Sequence, residues 1–341
     1  LVHHCAPGTR LRAQMAIVIA RILAGADGVR WIREAVAALS AQPSVLDDPR
    51  RPDWAIIGTL FLRESTTGRD LAEGVVRERR AHTALGALPN LLFHTARDDA
   101  TTSRWHAAIT EYDESISLAR ETGQSTDLAV SLAGLGWLQA RMGAAEASRD
   151  NLAEAKQLGR SHDITLAQLW SEFALGDLAL VLGDADGAVA HFRDLEALLG
   201  GTGLGDVDLA PGPELAEALQ RRGEVAQAKS VADEYFHRAA AKGQPWALAR
   251  AHRARAVCCA DDEQRWAHFE TAVGLHSDSP DTFEEARTRL AFGSALRRDK
   301  KRVAARPELQ RALDAFDRLG ARPWAEQAAA EATTGNYSYG N

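Results

Sequence analysis

Eight polar side chains interrupt apolar stripes along helical segments of this 341-residue chain, and their types suit the binding of a ligand. They are His94, Arg97, Gln139, Gln168, Glu172, Arg250, Arg253 and Arg287. A few hydrogen-bonding or charged groups on an otherwise apolar wall are what a groove for a peptide or a small ligand needs. Exposed helix faces carry the same kinds of residue, so a solvated helix face is the alternative interpretation of each.

Two clusters of acids and bases could supply catalytic carboxylates if they faced a pocket. They are Asp281, Glu284, Glu285 and Arg287, and Asp98, Asp99 and Arg104. Acids near the amino end of a helix also favour the helix dipole, so solvated helix starts explain the same pattern. The sequence contains neither a Gly-x-Ser-x-Gly turn nor a Gly-Lys-Ser or Gly-Lys-Thr phosphate loop, and we therefore predict no catalytic activity.

Metal and phosphate sites receive little support from the sequence. His3, His4 and Cys5 could together hold zinc or copper, but a frayed terminus explains them equally. No His-Glu-x-x-His or Cys-x-x-Cys motif occurs, and the glycine cluster at 201–205 follows a helix with no basic residue beside it. We predict no structural metal and no cofactor.

One dense basic cluster stands near the end of the chain and comprises Arg297, Arg298, Lys300, Lys301, Arg302 and Arg306. It could contact phosphate or an acidic surface of a neighbouring domain. Cations also stabilise the carboxyl end of a helix, so a plain solvated turn is the alternative.

The elements that must position these residues recur about every forty positions. Gly143, Gly183 and Gly223 are 40 residues apart each time, with helical periodicity on both sides. The segment 163–182 indicates one helix and 188–199 its return, while Gly183 followed by Asp184 supplies a stop and then a cap. A fixed period of this length is typical of stacked helical hairpins that bury their apolar faces against their neighbours.

We therefore predict an all-α solenoid of about eight hairpins, formed as a single array over residues 1–332 and followed by a disordered tail at 333–341. First helices are expected near Pro89, Ser125, Pro213, Pro245 and Asp281, return helices near Ser103, Ala145, Val225, Glu263 and Val303, and a closing helix at Pro323–Ala332. The first helix of each hairpin commonly lines the concave wall of such arrays. The ligand candidates above lie on these first helices.

Two segments break the rhythm and are predicted to be irregular loops. Residues 42–53 contain three prolines, and residues 200–213 form a glycine- and proline-rich insertion between regular hairpins. Long insertions often carry function, but they are also where sequence drift is tolerated.

Composition limits the classes of protein that fit. Hydrophobic residues are 45% and charged residues 26%, which is ample for a folded core. The net charge of −7 argues against broad contact with nucleic-acid phosphates. Three cysteines imply no disulfide framework, and the apolar run at 15–20 is too short to cross a membrane. We expect a cytoplasmic protein that contacts neither membrane nor nucleic acid directly.

The carboxyl-terminal part of the chain resembles a known family. The stretch 282–332, especially Glu284 to Arg298, Ala305 to Leu309 and Phe316 to Glu326, is similar to the end of the helical sensor region in the large ATP-binding regulators of the LuxR family. The similarity weakens toward the amino terminus and extends over about residues 80 to 332. It implies a right-handed, tetratricopeptide-like superhelix.

The resemblance also implies a longer parent protein with an amino-terminal ATPase and a carboxyl-terminal helix-turn-helix DNA reader. This chain contains neither, and we expect it to be a fragment. We predict a regulatory module of a bacterial transcription regulator that binds a protein segment or a small-molecule inducer and that could form homo-oligomers. A stand-alone enzyme acting on an apolar substrate in the concave groove, or a pure protein-interaction scaffold, are the alternatives.

Overall fold

The computed structural model describes residues 7–41, 58–63, 67–81 and 85–333, and over these ranges the chain is helical with no strands. The helices are α1 (Pro7–Leu23), α2 (Val29–Ala41), α3 (Thr67–Ala81), α4 (Leu88–Thr101), α5 (Trp105–Thr122), α6 (Ser125–Met142), α7 (Ala145–Ser161), α8 (Thr165–Val181), α9 (Ala185–Gly200), α10 (Gly212–Arg221), α11 (Val225–Lys242), α12 (Pro245–Cys258), α13 (Asp262–His276), α14 (Thr282–Arg298), α15 (Arg302–Leu319) and α16 (Arg322–Thr333). Short 3-10 turns span Gly58–Leu62 and Leu85–Ala87.

The predicted all-α array of helical hairpins is confirmed, with the pairs from α4/α5 to α14/α15 beginning within three residues of the expected positions. The predicted loop 42–53 and residues 334–341 of the tail lie outside the described residues. Within the described ranges, every helix is too short or too polar to cross a membrane.

The turns between paired helices are set by residues in the left-handed conformation. Gly143, Gly183 and Gly223 have φ of 83°, 80° and 81°, which glycine adopts without a Cβ penalty. Ser103 and Lys300 have the same conformation, with φ of 70° and 61°, at hairpin turns that lack glycine. The forty-residue repeat therefore specifies a backbone conformation even where its glycine is missing.

Glycines inside the first helices allow the two helices of a hairpin to approach closely. A Cβ placed on Gly176 of α8 would lie 2.3 Å from Cε1 of Phe192 on α9, and one on Gly136 of α6 would lie 2.7 Å from Cγ of Leu152 on α7. The two glycines are 40 residues apart, as are the two side chains that cover them. The repeat is therefore a repeat of packing as well as of turns.

The first helix of each hairpin is buried on most of its surface, whereas the return helix buries one face. In α7 the buried positions are Ser148, Leu152, Ala155 and Gly159, which is the spacing of a single helical stripe. In α8 eleven residues are buried, including the charged Glu172 and Asp177. The first helices therefore form the interior wall of the array.

The array also closes on itself, which a solenoid with contacts between neighbours alone would not do. Trp105 at the start of α5 packs against Phe283 of α14 with ring centroids 5.2 Å apart. Ser103 Oγ donates to the carbonyl oxygen of Pro280 at 3.0 Å and accepts the N–H of Thr282 at 2.7 Å. Hairpins from the first and last thirds of the chain thus share one core.

The predicted insertion, seen as residues 201–211 between α9 and α10, packs on the amino-terminal hairpin. The N–H groups of Gly205 and Asp206 donate to the carbonyl oxygen of Leu23 at 2.8 and 3.2 Å. Gly25 and Gly205 lie in such close contact that a Cβ on either would be within 2.7 Å of the backbone of the other segment. The insertion therefore holds α1 and α2 against the middle of the array.

Candidate functional site

A pocket opens on the interior wall of the array, where elements from both halves of the chain meet. Its cavity volume is about 60 Å³, which is smaller than that of a typical small-ligand site. Helices α4, α6, α8, α12 and α14 contribute most of the lining, and Arg63 and Asp208 reach it from loops. We call it the inner pocket.

One wall of the inner pocket is aromatic. It is formed by Phe93, Tyr112, Trp137, Trp170 and Phe173. The ring centroids of Phe93 and Trp170 are 5.1 Å apart, and those of Phe93 and Tyr112 are 6.3 Å apart. Rings in such contact provide a rigid apolar surface against which a ligand can lose water.

The insertion supplies a carboxylate that two arginines share. Arg63 and Arg97 both donate to Asp208, and Arg97 also lies over the ring of Trp170 at 5.0 Å. Burial alone would raise the pKa of Asp208, but the charges of Arg63 and Arg97 hold it well below its usual range. Asp208 therefore stays ionised and joins the amino-terminal part of the chain to α4.

Glu284 forms the opposite, charged wall together with arginines of the inner helices. Its carboxylate accepts from Arg253 at 2.6 Å and from Arg141 at 3.3 Å. Behind it, Glu214 of α10 accepts from Arg250 at 2.8 Å and from Arg287 at 3.0 Å. Burial opposes ionisation of Glu284, yet the surrounding guanidinium groups keep its pKa well below the ordinary value.

Besides Glu284, Arg141 contacts three other side chains. Its guanidinium lies over the rings of Trp137 and Phe283 at 4.1 and 4.4 Å, and its Nε donates to Asp177 at 3.0 Å. Such stacking and pairing use the planar faces and the edge of the same group. The side chain is therefore fixed as part of the pocket wall.

Asp281 is the carboxylate of the inner pocket that forms no ion pair within the described residues. It caps α14 by accepting the N–H of Glu284 at 3.1 Å and is 5% exposed. Burial, and then the charge of Glu284, raise the pKa of Asp281 to about 6. A carboxyl group in this state can change charge close to neutral pH.

Four of the eight ligand candidates lie in or behind the inner pocket. Arg97 and Arg250 line it, while Arg253 and Arg287 belong to the charged wall around Glu284 and Glu214. His94 lies beside the pocket, where its ring centroid is 4.9 Å from that of Phe93 in an edge-to-face arrangement. Burial and the charge of Arg97 lower the pKa of His94 to about 3, so it is neutral at pH 7.

The other three candidates lie elsewhere, at the contacts between helices α6, α7, α8 and α9. Gln139 accepts from Asn151 at 2.8 Å, and Gln168 donates to the carbonyl oxygen of Gly159 at 3.0 Å. Glu172 pairs with Lys156 at 2.5 Å and with His191 at 2.9 Å. The eight ligand candidates thus divide between the inner pocket with its charged wall and the contacts between first and return helices.

The acidic cluster of Asp98 and Asp99 lies apart from the inner pocket. Asp98 and Asp99 pair with Arg69 of α3, and Asp99 also lies 3.3 Å from Arg104, away from the inner pocket. His3, His4 and Cys5 are outside the described residues, and the described part of the chain brings no three metal-ligating side chains together.

Sequence reasoning missed the partners from loops and the aromatic wall. Arg63 directly follows a short 3-10 turn that shows no helical period, and Asp208 belongs to the insertion. The irregularity of residues 200–213 was the available signal for Asp208. In the sequence Trp137 and Trp170 look like ordinary core residues. In the structure both are half-buried and line the pocket.

The comparisons with known proteins concern the fold. No family model matches the chain, and no curated protein matches it. A solved structure of a Rap protein complexed with competence and sporulation factor has a TM-score of 0.55 and 9% identity, with 96% of this chain and 97% of that chain covered. The apo form of RapI has a TM-score of 0.45 and 10% identity, with 95% and 96% covered. The first likeness supports the helical-repeat fold, and neither structure bears on the resemblance to ATP-binding regulators.

Proposed function

We propose that this chain is a regulatory binding module whose inner pocket receives a ligand or a protein segment. The observation that carries the proposal is the origin of the pocket lining: Arg63 comes from the segment before α3 and Asp208 from the insertion, whereas Asp281 and Glu284 come from the start of α14. An occupant would contact both halves of the closed array at once. Its binding energy would therefore depend on how closely the two halves approach.

In this mechanism the ligand acts through differential affinity for two curvatures of the array. A ligand that fits the closed form ten times better than an open form stabilises closure by about 1.4 kcal/mol, and one with equal affinity changes nothing. The aromatic wall supplies desolvated contact area, and the paired charges supply hydrogen-bonding groups that orient the occupant. Closure would then alter the surface offered to neighbouring domains or partners.

The likeness to a Rap protein solved in complex with competence and sporulation factor supports a binding role for an array of this shape. A larger ATP-binding regulator as the parent protein, with a cytoplasmic location, is a finer proposal that rests on the resemblance of residues 282–332 to the LuxR family. It is tested by the natural reading frame, which should encode a phosphate loop upstream and a helix-turn-helix downstream.

Native mass spectrometry of the protein purified from its producing cells tests the binding role. We expect a bound small molecule or peptide that is lost from Trp170→Ala, because Trp170 forms part of the aromatic wall. Trp31→Ala is the matched control, since Trp31 lies on α2 with 44% of its surface exposed. Retention by both variants would place the ligand elsewhere, and steady chemical conversion of the bound molecule would favour the enzyme alternative.

A further inference from the structure

A second, larger cavity lies at the carboxyl-terminal end of the interior wall. It is open to solvent and has a volume of about 660 Å³. Inner helices α10, α12 and α14 line it together with the closing helix α16. Ala254, Ala256, Ala291 and Ala295 contribute to its surface, so the backbone of an occupant can approach closely. We call it the C-terminal cavity.

Arginine is the commonest charged residue in the lining of the C-terminal cavity, although the chain as a whole carries −7. Five arginines face it against three carboxylates, those of Glu217, Asp299 and Glu331. Four of the five arginines are paired: Arg253 and Arg287 with Glu284 and Glu214 behind the wall, Arg221 with Glu217, and Arg265 with Asp262. Arg298 is exposed at the end of α14 and has no ion pair among the described residues.

Arg298 also belongs to the basic cluster that the sequence singles out. Within this cluster Arg297 pairs with Glu331 and Lys301 pairs with Asp299. Among the described residues the other members form no ion pair, and they surround Val303, whose side chain is 92% exposed. This surface, which we call the C-terminal basic face, comprises Arg298, Lys300, Arg302, Val303 and Arg306.

Inside the C-terminal cavity, two buried donors lack acceptors. Nε1 of Trp324 has no hydrogen-bond partner, and the side chain lines the cavity at 5% exposure. Nη2 of Arg253, which is 4% exposed, also lacks a hydrogen bond and lies 3.6 Å from Glu214. Buried donors are normally satisfied, so both groups are positioned to receive an acceptor from an occupant.

We infer that the C-terminal cavity and the C-terminal basic face together dock an acidic segment of a partner protein. Carboxylates of the segment would meet Arg298, Arg302 and Arg306, an apolar residue would cover Val303, and acceptor groups that enter the cavity would reach Trp324. Charge complementarity of this kind directs association and selects the partner. This docking site is separate from the inner pocket and does not depend on the role proposed for it.

Fluorescence anisotropy with two labelled peptides tests this inference. One is an amphipathic peptide of alternating Glu-Glu and Leu-Leu pairs, and the other has lysine at every glutamate position. We expect the wild-type protein to bind the glutamate peptide at least about tenfold more tightly, with an affinity that falls as salt rises. Arg298→Glu combined with Arg306→Glu should remove most of that preference.

Arg318→Glu is the matched control, because Arg318 is exposed in the last turn of α15 and does not line the cavity. It should bind the glutamate peptide as the wild type does. Trp324→Phe, which removes the N–H and keeps a ring, should weaken binding several-fold at an unchanged circular dichroism spectrum. Equal binding of the two peptides, or equal loss in the R298E/R306E and R318E variants, would overturn the inference. Tighter binding of inorganic pyrophosphate than of the glutamate peptide would overturn it in favour of a small-anion site.

Discussion

Nη2 of Arg141 donates a hydrogen bond to Oε1 of Glu284 at 3.3 Å, although the two residues are 143 positions apart. Arg141 lies in the last turn of α6 and Glu284 in the first turn of α14, so the pair joins two distant hairpins. Both side chains are 5% exposed, and in such a dry environment each charge needs a partner. The pair therefore compensates two buried charges when the two hairpins are in contact.

Removing the charge of Arg141 should destabilise the fold strongly. Arg141→Met leaves Asp177 with the neutral N–H of Trp137 as its remaining partner, and we expect a loss of about 3–5 kcal/mol in the free energy of unfolding. The variant R141M/E284Q should lose less than the two single variants combined, because each removes the other's partner. Urea unfolding of all four proteins measures this coupling. Additivity within about 0.5 kcal/mol would show that the pair is energetically independent.

The sequence could predict the hairpins because they depend on local signals. Gly143, Gly183 and Gly223 fix their turns through their own φ angles, so a fixed spacing reveals them. Closure of the array depends instead on pairs such as Trp105 with Phe283, whose separation of 178 positions has no period. Contacts of that kind are set by the summed curvature of several hairpins, which no single segment encodes.

Four of the eight predicted ligand positions lie at the inner pocket, and the sequence could not tell which four. Helical periodicity separates buried from exposed faces, but it does not tell whether a buried polar residue faces the interior wall or the return helix. Arg250 and Glu172 look alike in the sequence, yet the first faces the inner pocket and the second pairs with Lys156 and His191. Arg63 and Asp208 lie in segments with no period at all.

Gly176 should resist substitution even by alanine. The added Cβ would lie 2.3 Å from Cε1 of Phe192, whose side chain is fully buried. Alanine favours the helix by about 1 kcal/mol, but overpacking of this kind costs about 1–3 kcal/mol, so we expect a net loss of stability.

Gly274→Ala in α13 is the matched control, because nothing lies within 4 Å of the position that its added methyl group would take, and only the helix preference remains. Thermal unfolding should show a lower midpoint for G176A and a higher one for G274A; the same sign for both would contradict the packing argument.

The charge of Asp281 should lower stability at neutral pH. Its pKa is raised from 3.8 to about 6 in the folded protein, mainly by burial. A carboxyl group with a raised folded pKa opposes folding when ionised, so the penalty is complete above about pH 6 and disappears below about pH 4. Asp281→Asn keeps the helix cap and should be more stable than the wild type by about 1–3 kcal/mol near pH 7.5.

The advantage of D281N should vanish as the pH approaches about 4, which urea unfolding at several pH values can follow. Asp261→Asn is the control, since Asp261 caps α13 with the same geometry, accepting the N–H of Gln264 at 2.8 Å, but is exposed. The substitution should change stability little, because both side chains can cap the helix. A constant difference between D281N and the wild type across this range would contradict the assignment.

Asp208 joins the insertion to the segment that ends at Arg63 and to helix α4. Asp208→Asn removes the charge that Arg63 and Arg97 share and leaves two partly buried guanidinium groups with one neutral acceptor. We expect faster hydrogen exchange in residues 58–63 and 201–211, together with a loss of about 3–5 kcal/mol of stability.

Asp233→Asn is the matched control: Asp233 also pairs with two cations, Lys229 and Arg255, but it is one third exposed, so the loss should stay below about 1 kcal/mol. Asp208 lines the inner pocket. Faster exchange confined to these two segments would therefore show that their contact controls access to the pocket. Uniform exchange along the chain would instead mean that Asp208 stabilises the whole array without controlling access to the pocket.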